Sequence, residues 1–168
     1  IDKTFLSKAT KLKFIGRVGA GLENIDEDFA ADRNIVLFNS PEGNRDSVGE
    51  HAVGMLLMLM HHLRRADNEV RNGIWKREEN RGDELKGKTV GIIGYGNMGN
   101  AFAKRLQGFD VDVICYDILP NKGNQYAEQV SSQEFFDRVD VVSLHTPQTP
   151  ETTGMINAEF ISNCKKPF

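Results

Sequence analysis

The sequence has only two cysteines, Cys115 and Cys164, far apart and without the spacing of a metal site. Both are read as reduced, buried and structural, which suits a reducing, cytoplasmic compartment. A long apolar run is also missing. The longest, AVGMLLMLM at 52–60, falls well short of the roughly 20 residues that a membrane-spanning helix needs. No signal peptide is visible, so no membrane association is expected. Charge of one sign is scarce as well: the net charge of −3 offers no pull toward nucleic acid or an anionic surface. There are no internal repeats and no low-complexity tract. The chain opens on Ile1 rather than methionine, and it is read as a piece of a longer polypeptide.

What remains is an ordinary globular composition, 39% apolar and 27% charged, enough to bury a core in one domain or in pieces of two. LKFIGRV (12–18) reads as a short strand running into Gly19 and Gly21. ENIDEDFAADRN reads as a helix with Ile25, Phe29 and Ala30 inward, and IVLFN (35–39) as a second buried strand closed by Ser40 and Pro41. Together they predict a βαβ unit. Asp46 or Ser47 then looks like an N-cap, with Glu50 placed to complete a capping box behind Ser47. Val48, Ala52, Met55, Leu56, Leu59 and Leu63 form a helical stripe, while Val53, Leu57, Met58 and Met60 carry apolar character round the other side. A helix apolar all round is buried on all sides, here between domains or against a second subunit. The helix is expected to run on in polar form to Asn72 and Gly73, with Trp75 pinning the turn against the core. The histidines His51, His61 and His62 are read as helix residues.

From Asp83 the pattern changes. GKTVGIIG is an apolar strand, and NMGNAFAKRLQGF a helix with Met98, Phe102 and Leu106 four apart. DVDVICYD is a second strand, a short helix lies around 134–137, and VDVVSLH is a third strand. Strands alternating with helices predict a parallel α/β sheet, with 141–145 as an unprotected edge.

The turn between the first strand and its helix carries GYGNMG. Gly94 allows the tight turn, Gly96 lets a backbone approach a pyrophosphate, and Gly99 permits close helix–strand packing. The helix N-terminus supplies free N–H groups and a partial positive charge. Asp117 follows 18 residues after Gly99, at the end of the next strand. There it reads either as the acceptor of NAD ribose hydroxyls, disfavouring a 2′-phosphate, or as a solvated loop residue before Pro120. His145, Thr146 and Pro147 turn the chain at the carboxyl edge of the sheet, and Thr152 and Thr153 add hydroxyls. From the residues alone, His145 reads as a general base, a ribose contact or a strand-end histidine.

Five segments, GRVGAGLENID, PEGNRDSVGEHAVGMLL, NGIW, ELKGKTVGIIGYGNMG and VVSLHTPQTPETTGMIN, occur in one order at fitting separations. Together they resemble the D-2-hydroxyacid dehydrogenase family, most of all its phosphoglycerate dehydrogenase branch, over nearly the whole chain. The resemblance implies an α/β fold: the first half of a Rossmann-type parallel sheet with a remnant of a second, flavodoxin-like substrate domain. It divides the chain into a substrate-domain part at 1–43, an interdomain helix and linker at 44–82, and a cofactor-domain part at 83–168. The cofactor implied is NAD. Gly94, Tyr95, Gly96, Asn97, Met98 and Gly99 match the pyrophosphate loop, and Asp117 with Ile118 the adenosine-ribose site. His145, Thr146, Pro147 and Thr152 match the loop closing over the cofactor. Ala20 and Gly21 match the position whose N–H groups hold a substrate carboxylate, and Arg17 beside them is either an anion contact or a salt-bridge partner.

The resemblance further implies a small-molecule substrate, a homodimer through helix 48–63 and a cytoplasmic enzyme. The family's catalytic arginine, carboxylate and histidine lie beyond the HTP loop, so none is assigned here and the polypeptide alone is expected not to turn over. A NAD-sensing corepressor of the same fold is the alternative. A domain like that of adenosylhomocysteine hydrolase is a third reading, but it should lack the paired GRVGAG and SVGEHA segments.

Overall fold

A computed structural model describes residues 1–166. The chain divides into two compact units, Ile1–Asp46 and the residues from Ser47 onward.

The first unit is the predicted βαβ motif with an added helix. Helix α1 (Lys3–Lys8) starts where the Asp2 carboxylate accepts the Phe5 N–H at 2.8 Å. Strand β1 (Phe14–Gly16) and strand β2 (Val36–Phe38) pair in parallel across helix α2 (Glu27–Asp32), which Asp26 caps through the Phe29 N–H. Leu6, Ala30 and Ile35 are buried, with Ile15 and Leu37 packed against them. The alternate residues Phe14, Val36 and Phe38 face outward. Both strands are shorter than the sequence suggested. Beyond Gly16 the chain bends into the glycine loop, leaving Val18 fully exposed, while Ile35 uses its N–H to close α2 on the Ala30 carbonyl.

Helix α3 (Arg45–Met60) begins on the last two residues of the first unit and from Ser47 on belongs to the second. Starting at Arg45, it places Asp46 and Ser47 inside the first turn rather than at the cap, and Glu50 pairs with Arg105 at 3.5 Å instead of closing a capping box. The single helix expected to Asn72 is two helices. His62 adopts a left-handed conformation (φ 51°) before helix α4 (Leu63–Arg71), so His61 and His62 form a break. The cause is a contact distant in sequence: the Met60 carbonyl accepts the Asp83 N–H at 2.9 Å, and Gly82 lies against it. Leu56 is buried, but Met55, Met58 and Leu59 are exposed, so α3 packs one face on the sheet and leaves the other open. Trp75 does not pin the turn to the core; it is 80% exposed.

The sheet contains strand β3 (Thr89–Ile93), β4 (Asp112–Tyr116), β5 (Glu128–Gln129) and β6 (Val141–Leu144). All pair in parallel in the order β5-β4-β3-β6, which leaves β6 at an edge as expected. Alternation along the central strands builds two cores. Val90, Ile92, Val113 and Cys115 pack with Phe102 and Leu106 of helix α5 (Asn97–Leu106) and with Leu56 of α3. Ile93 and Ile114 pack on the opposite face with Phe135 of helix α6 (Ser132–Arg138) and with Val139. A sheet covered on both faces is why its strands read as continuous apolar runs. Helix α7 (Ala158–Asn163) completes the described chain. No pattern in the residue order marks α1, β5 or α7, each too short for a periodic repeat. Among the described residues no helix is long and apolar enough to cross a membrane.

Candidate functional site

The residues singled out at 94–99, 117–118 and 145–147 converge at the carboxyl end of the second unit's sheet. Gly94 leaves β3 with φ +86°, its N–H donating to the Tyr116 carbonyl at 2.9 Å. It lies so close to the next loop that a Cβ would sit 2.8 Å from the His145 oxygen. A Cβ on Gly99 would meet the Gly94 oxygen at 2.4 Å, so this glycine lets α5 rise directly off the turn. Gly96 differs: a Cβ there would find nothing within 4 Å. It stands at the N-cap of α5 with no side-chain cap, so the first-turn N–H groups of Asn97, Met98 and Gly99 keep their donor capacity toward open space. Such space beside uncapped amides fits a pyrophosphate.

Asp117 directly follows β4 and is already engaged. Its Oδ2 accepts the Tyr95 N–H at 2.7 Å and its Oδ1 the Leu119 N–H at 2.9 Å. A carboxylate has lone pairs left for ribose hydroxyls after two such bonds. Ile118, 88% exposed, and half-exposed Leu119 flank it as apolar surface. The Tyr95 ring points away from this surface and lies in the core.

His145 continues the sheet, its N–H donating to the Ile93 carbonyl at 2.8 Å. Its ring lies 5.4 Å from Phe102, with Nε2 2.9 Å from Ser143 Oγ. Burial pushes its pKa down, so the imidazole is neutral at pH 7. His145 thus stands at the end of the strand, where its ring docks the loop. The Thr146 methyl faces Gly94. Thr152 Oγ1 donates to the Pro147 carbonyl at 2.7 Å and accepts the Thr149 N–H at 2.8 Å, tying off the loop that begins at Pro147.

In the first unit, the loop holding Ala20 and Gly21 has its carbonyls turned inward. Gly19 O accepts the Ser40 N–H, Ala20 O the Asn39 side-chain amide, and Gly21 O the Arg17 guanidinium. Arg17 also binds Glu23 through both nitrogens, at 3.1 and 3.2 Å, so it is a salt-bridge partner that braces the loop.

The parallel sheet, the glycine turn into an uncapped helix and the acidic strand end define a Rossmann-type dinucleotide-binding unit. Residues 53–167 match the family model for the NAD-binding domain of D-isomer specific 2-hydroxyacid dehydrogenases, and the chain belongs to that family. It is 39% identical to the D-3-phosphoglycerate dehydrogenase of Mycobacterium leprae over 98% of this chain and 32% of that protein. The chain therefore spans about a third of the length of this curated relative. Among solved structures, it superposes on an NAD-dependent formate dehydrogenase from Staphylococcus aureus in complex with NAD. The TM-score is 0.85 at 31% identity, over 99% of this chain and 51% of that one. A D-lactate dehydrogenase from Aquifex aeolicus, complexed with NAD and lactic acid, gives 0.84 at 33% identity over 98% and 50%.

Sequence reasoning missed Asn124 and Gln129, which organise the loop after Asp117. Gln129 donates to the Leu119 carbonyl at 2.8 Å and accepts the Lys122 N–H at 2.7 Å. No sequence signal marks either one: Gln129 binds backbone atoms of an irregular segment, and Asn124 binds the Tyr95 hydroxyl and the Tyr126 N–H.

Proposed function

We propose that this chain binds NAD and serves an oxidoreductase that acts on a D-2-hydroxy acid, with 3-phosphoglycerate as the substrate. One observation carries the cofactor reading: the open space at Gly96 in front of the uncapped α5, with Asp117 beside it. Bound NAD supplies the acceptor for the C2 hydride. The N–H groups of Asn97, Met98 and Gly99 hold the pyrophosphate, and Asp117 accepts the adenosine ribose hydroxyls. Its charge repels a 2′-phosphate, so NAD is preferred to NADP. Ile118 and Pro147 offer apolar walls to the adenine, and the loop of His145, Thr146 and Thr152 closes over the cofactor. Ala20 and Gly21 hold the substrate carboxylate through their N–H groups. The identity with phosphoglycerate dehydrogenases supports the substrate assignment.

On the same reading, 1–43 belong to the substrate domain, 44–82 to the interdomain helix and linker, and 83–168 to the cofactor domain. The exposed Met55, Met58 and Leu59 support a homodimer through helix 48–63. Free thiols at both cysteines suit the cytoplasm. Calorimetric titration tests the reading: the chain should bind NAD at least tenfold more tightly than NADP. With NAD present it should bind 3-phosphoglycerate in preference to D-lactate. Equal affinity for the two cofactors would remove the role given to Asp117, and a preference for D-lactate would remove the substrate assignment.

A further inference from the structure

Tyr95 occupies the variable position between the first two glycines of the turn, yet its side chain contributes nothing to the open surface there. The residue is 3% exposed and belongs to the core built on Ile92, Phe102 and Cys115. A phenylalanine would fill that space equally well. A buried hydroxyl is costly unless it is paired, so its presence calls for a reason beyond filling. Here it is paired twice. Oη donates to Asn124 Oδ1 at 2.9 Å and accepts from the Asn100 side-chain amide at 3.3 Å.

The same residue's main-chain N–H donates to Asp117 Oδ2 at 2.7 Å. Tyr95 therefore grips the 117–124 segment at both ends, at Asp117 through its backbone and at Asn124 through its ring. Asn100 ties that junction to α5. Asn124 Oδ1 also accepts the Tyr126 N–H at 2.9 Å, so the loop's far end turns about the atom that Tyr95 holds. Desolvation, with lesser contributions from neighbouring charges, pushes the Tyr95 hydroxyl up to about 12, which keeps it a neutral donor across the physiological range.

We propose that Tyr95 and Asn124 are a positioning pair, locking the Asp117 loop to the glycine turn so that the ribose-binding carboxylate and the pyrophosphate amides keep one fixed spacing. The inference rests on the NAD reading above. Neither side chain touches the cofactor; the pair acts through Asp117. A dinucleotide spans both loops at once, and loops held in register before binding lose less conformational entropy when it arrives.

The test uses the whole chain at a temperature where every variant is folded by circular dichroism. Affinities for NAD and ADP-ribose are measured by calorimetry, and exchange of the Leu119 amide by NMR. Tyr95→Phe and Asn124→Ala should each weaken both ligands about tenfold and speed Leu119 exchange. Tyr95→Phe/Asn124→Ala should lose no more than either single variant, because one bond is being removed. Asn124→Asp retains an acceptor for both donors and should keep wild-type affinity. A Tyr95→Phe or Asn124→Ala protein that melts earlier yet binds NAD and exchanges Leu119 like wild type overturns the proposal and leaves Tyr95 a core residue. Should Tyr95→Phe fail to fold, Asn124→Ala against Asn124→Asp decides the matter alone. Wild-type protein that binds neither NAD nor ADP-ribose overturns the cofactor reading and this inference with it; wild-type binding with indifferent variants overturns this inference only.

Discussion

Gly94 and His145 meet backbone to backbone, with the space for a Cβ on Gly94 lying 2.8 Å from the His145 oxygen. That approach joins the glycine turn to the loop after β6. Gly94→Ala adds a clash to a positive φ that L-residues adopt at a cost, together about 2–4 kcal/mol. Gly99→Ala meets the Gly94 oxygen at 2.4 Å and should also destabilise, by about 1–3 kcal/mol. Urea unfolding checks both. A loss below about 0.5 kcal/mol in either variant would refute the packing described.

Asp117 has two duties, because its oxygens already hold the Tyr95 and Leu119 N–H groups. Asp117→Ala should weaken NAD binding more than tenfold without raising NADP to the level of wild-type NAD binding. It removes the repulsive charge and the loop brace together. Parallel titrations with the two cofactors read this out, and a clean switch to NADP would show that the brace is dispensable.

Burial lowers the His145 pKa below its ordinary value of 6.5. In the window between the two values the unfolded chain binds more protons, so stability must fall as pH drops from about 6.5 and level off below the folded value. The carboxyls that the fold holds low, Glu23 and Glu151 from 4.5 and Asp140 from 3.8, lose their contribution at lower pH. Urea midpoints between about pH 5 and 7.5 should therefore slope upward with pH, and His145→Asn should flatten part of that slope. Identical slopes in the two proteins would place the imidazole in water.

Much of this arrangement was legible from residue order. The glycine spacing, the acidic strand end and the apolar runs each answer to a local rule, and each stands where that rule puts it. The misreadings have a common cause. The helix break at His61–His62 depends on Asp83, more than twenty residues on, taking the Met60 carbonyl, which no window around His62 reveals. Trp75 read as a core anchor because it is large and apolar, yet it lies exposed. The Tyr95 ring turns into the core, and the partners of its hydroxyl, Asn100 and Asn124, follow no spacing rule.

The two thiols should differ in reactivity. Burial, and then the charge of Asp117, push Cys115 up to about 11, whereas Cys164 is only half-buried and moves in the same direction by burial. The native chain should alkylate at Cys164 first, with Cys115 modified only as the fold opens. Peptide mass spectrometry over a time course of iodoacetamide treatment checks the order, and early labelling of Cys115 would contradict the core around β4.

The central claim is that the turn at Gly96 cradles a dinucleotide, and one comparison tests it most directly. Wild-type chain and Gly96→Ala are titrated with NAD by calorimetry, each with its thermal midpoint recorded. The open space around Gly96 predicts an unchanged midpoint and an affinity loss of at least tenfold, because the methyl group lies where the pyrophosphate must approach. Equal NAD affinity in the two proteins would contradict the cradle.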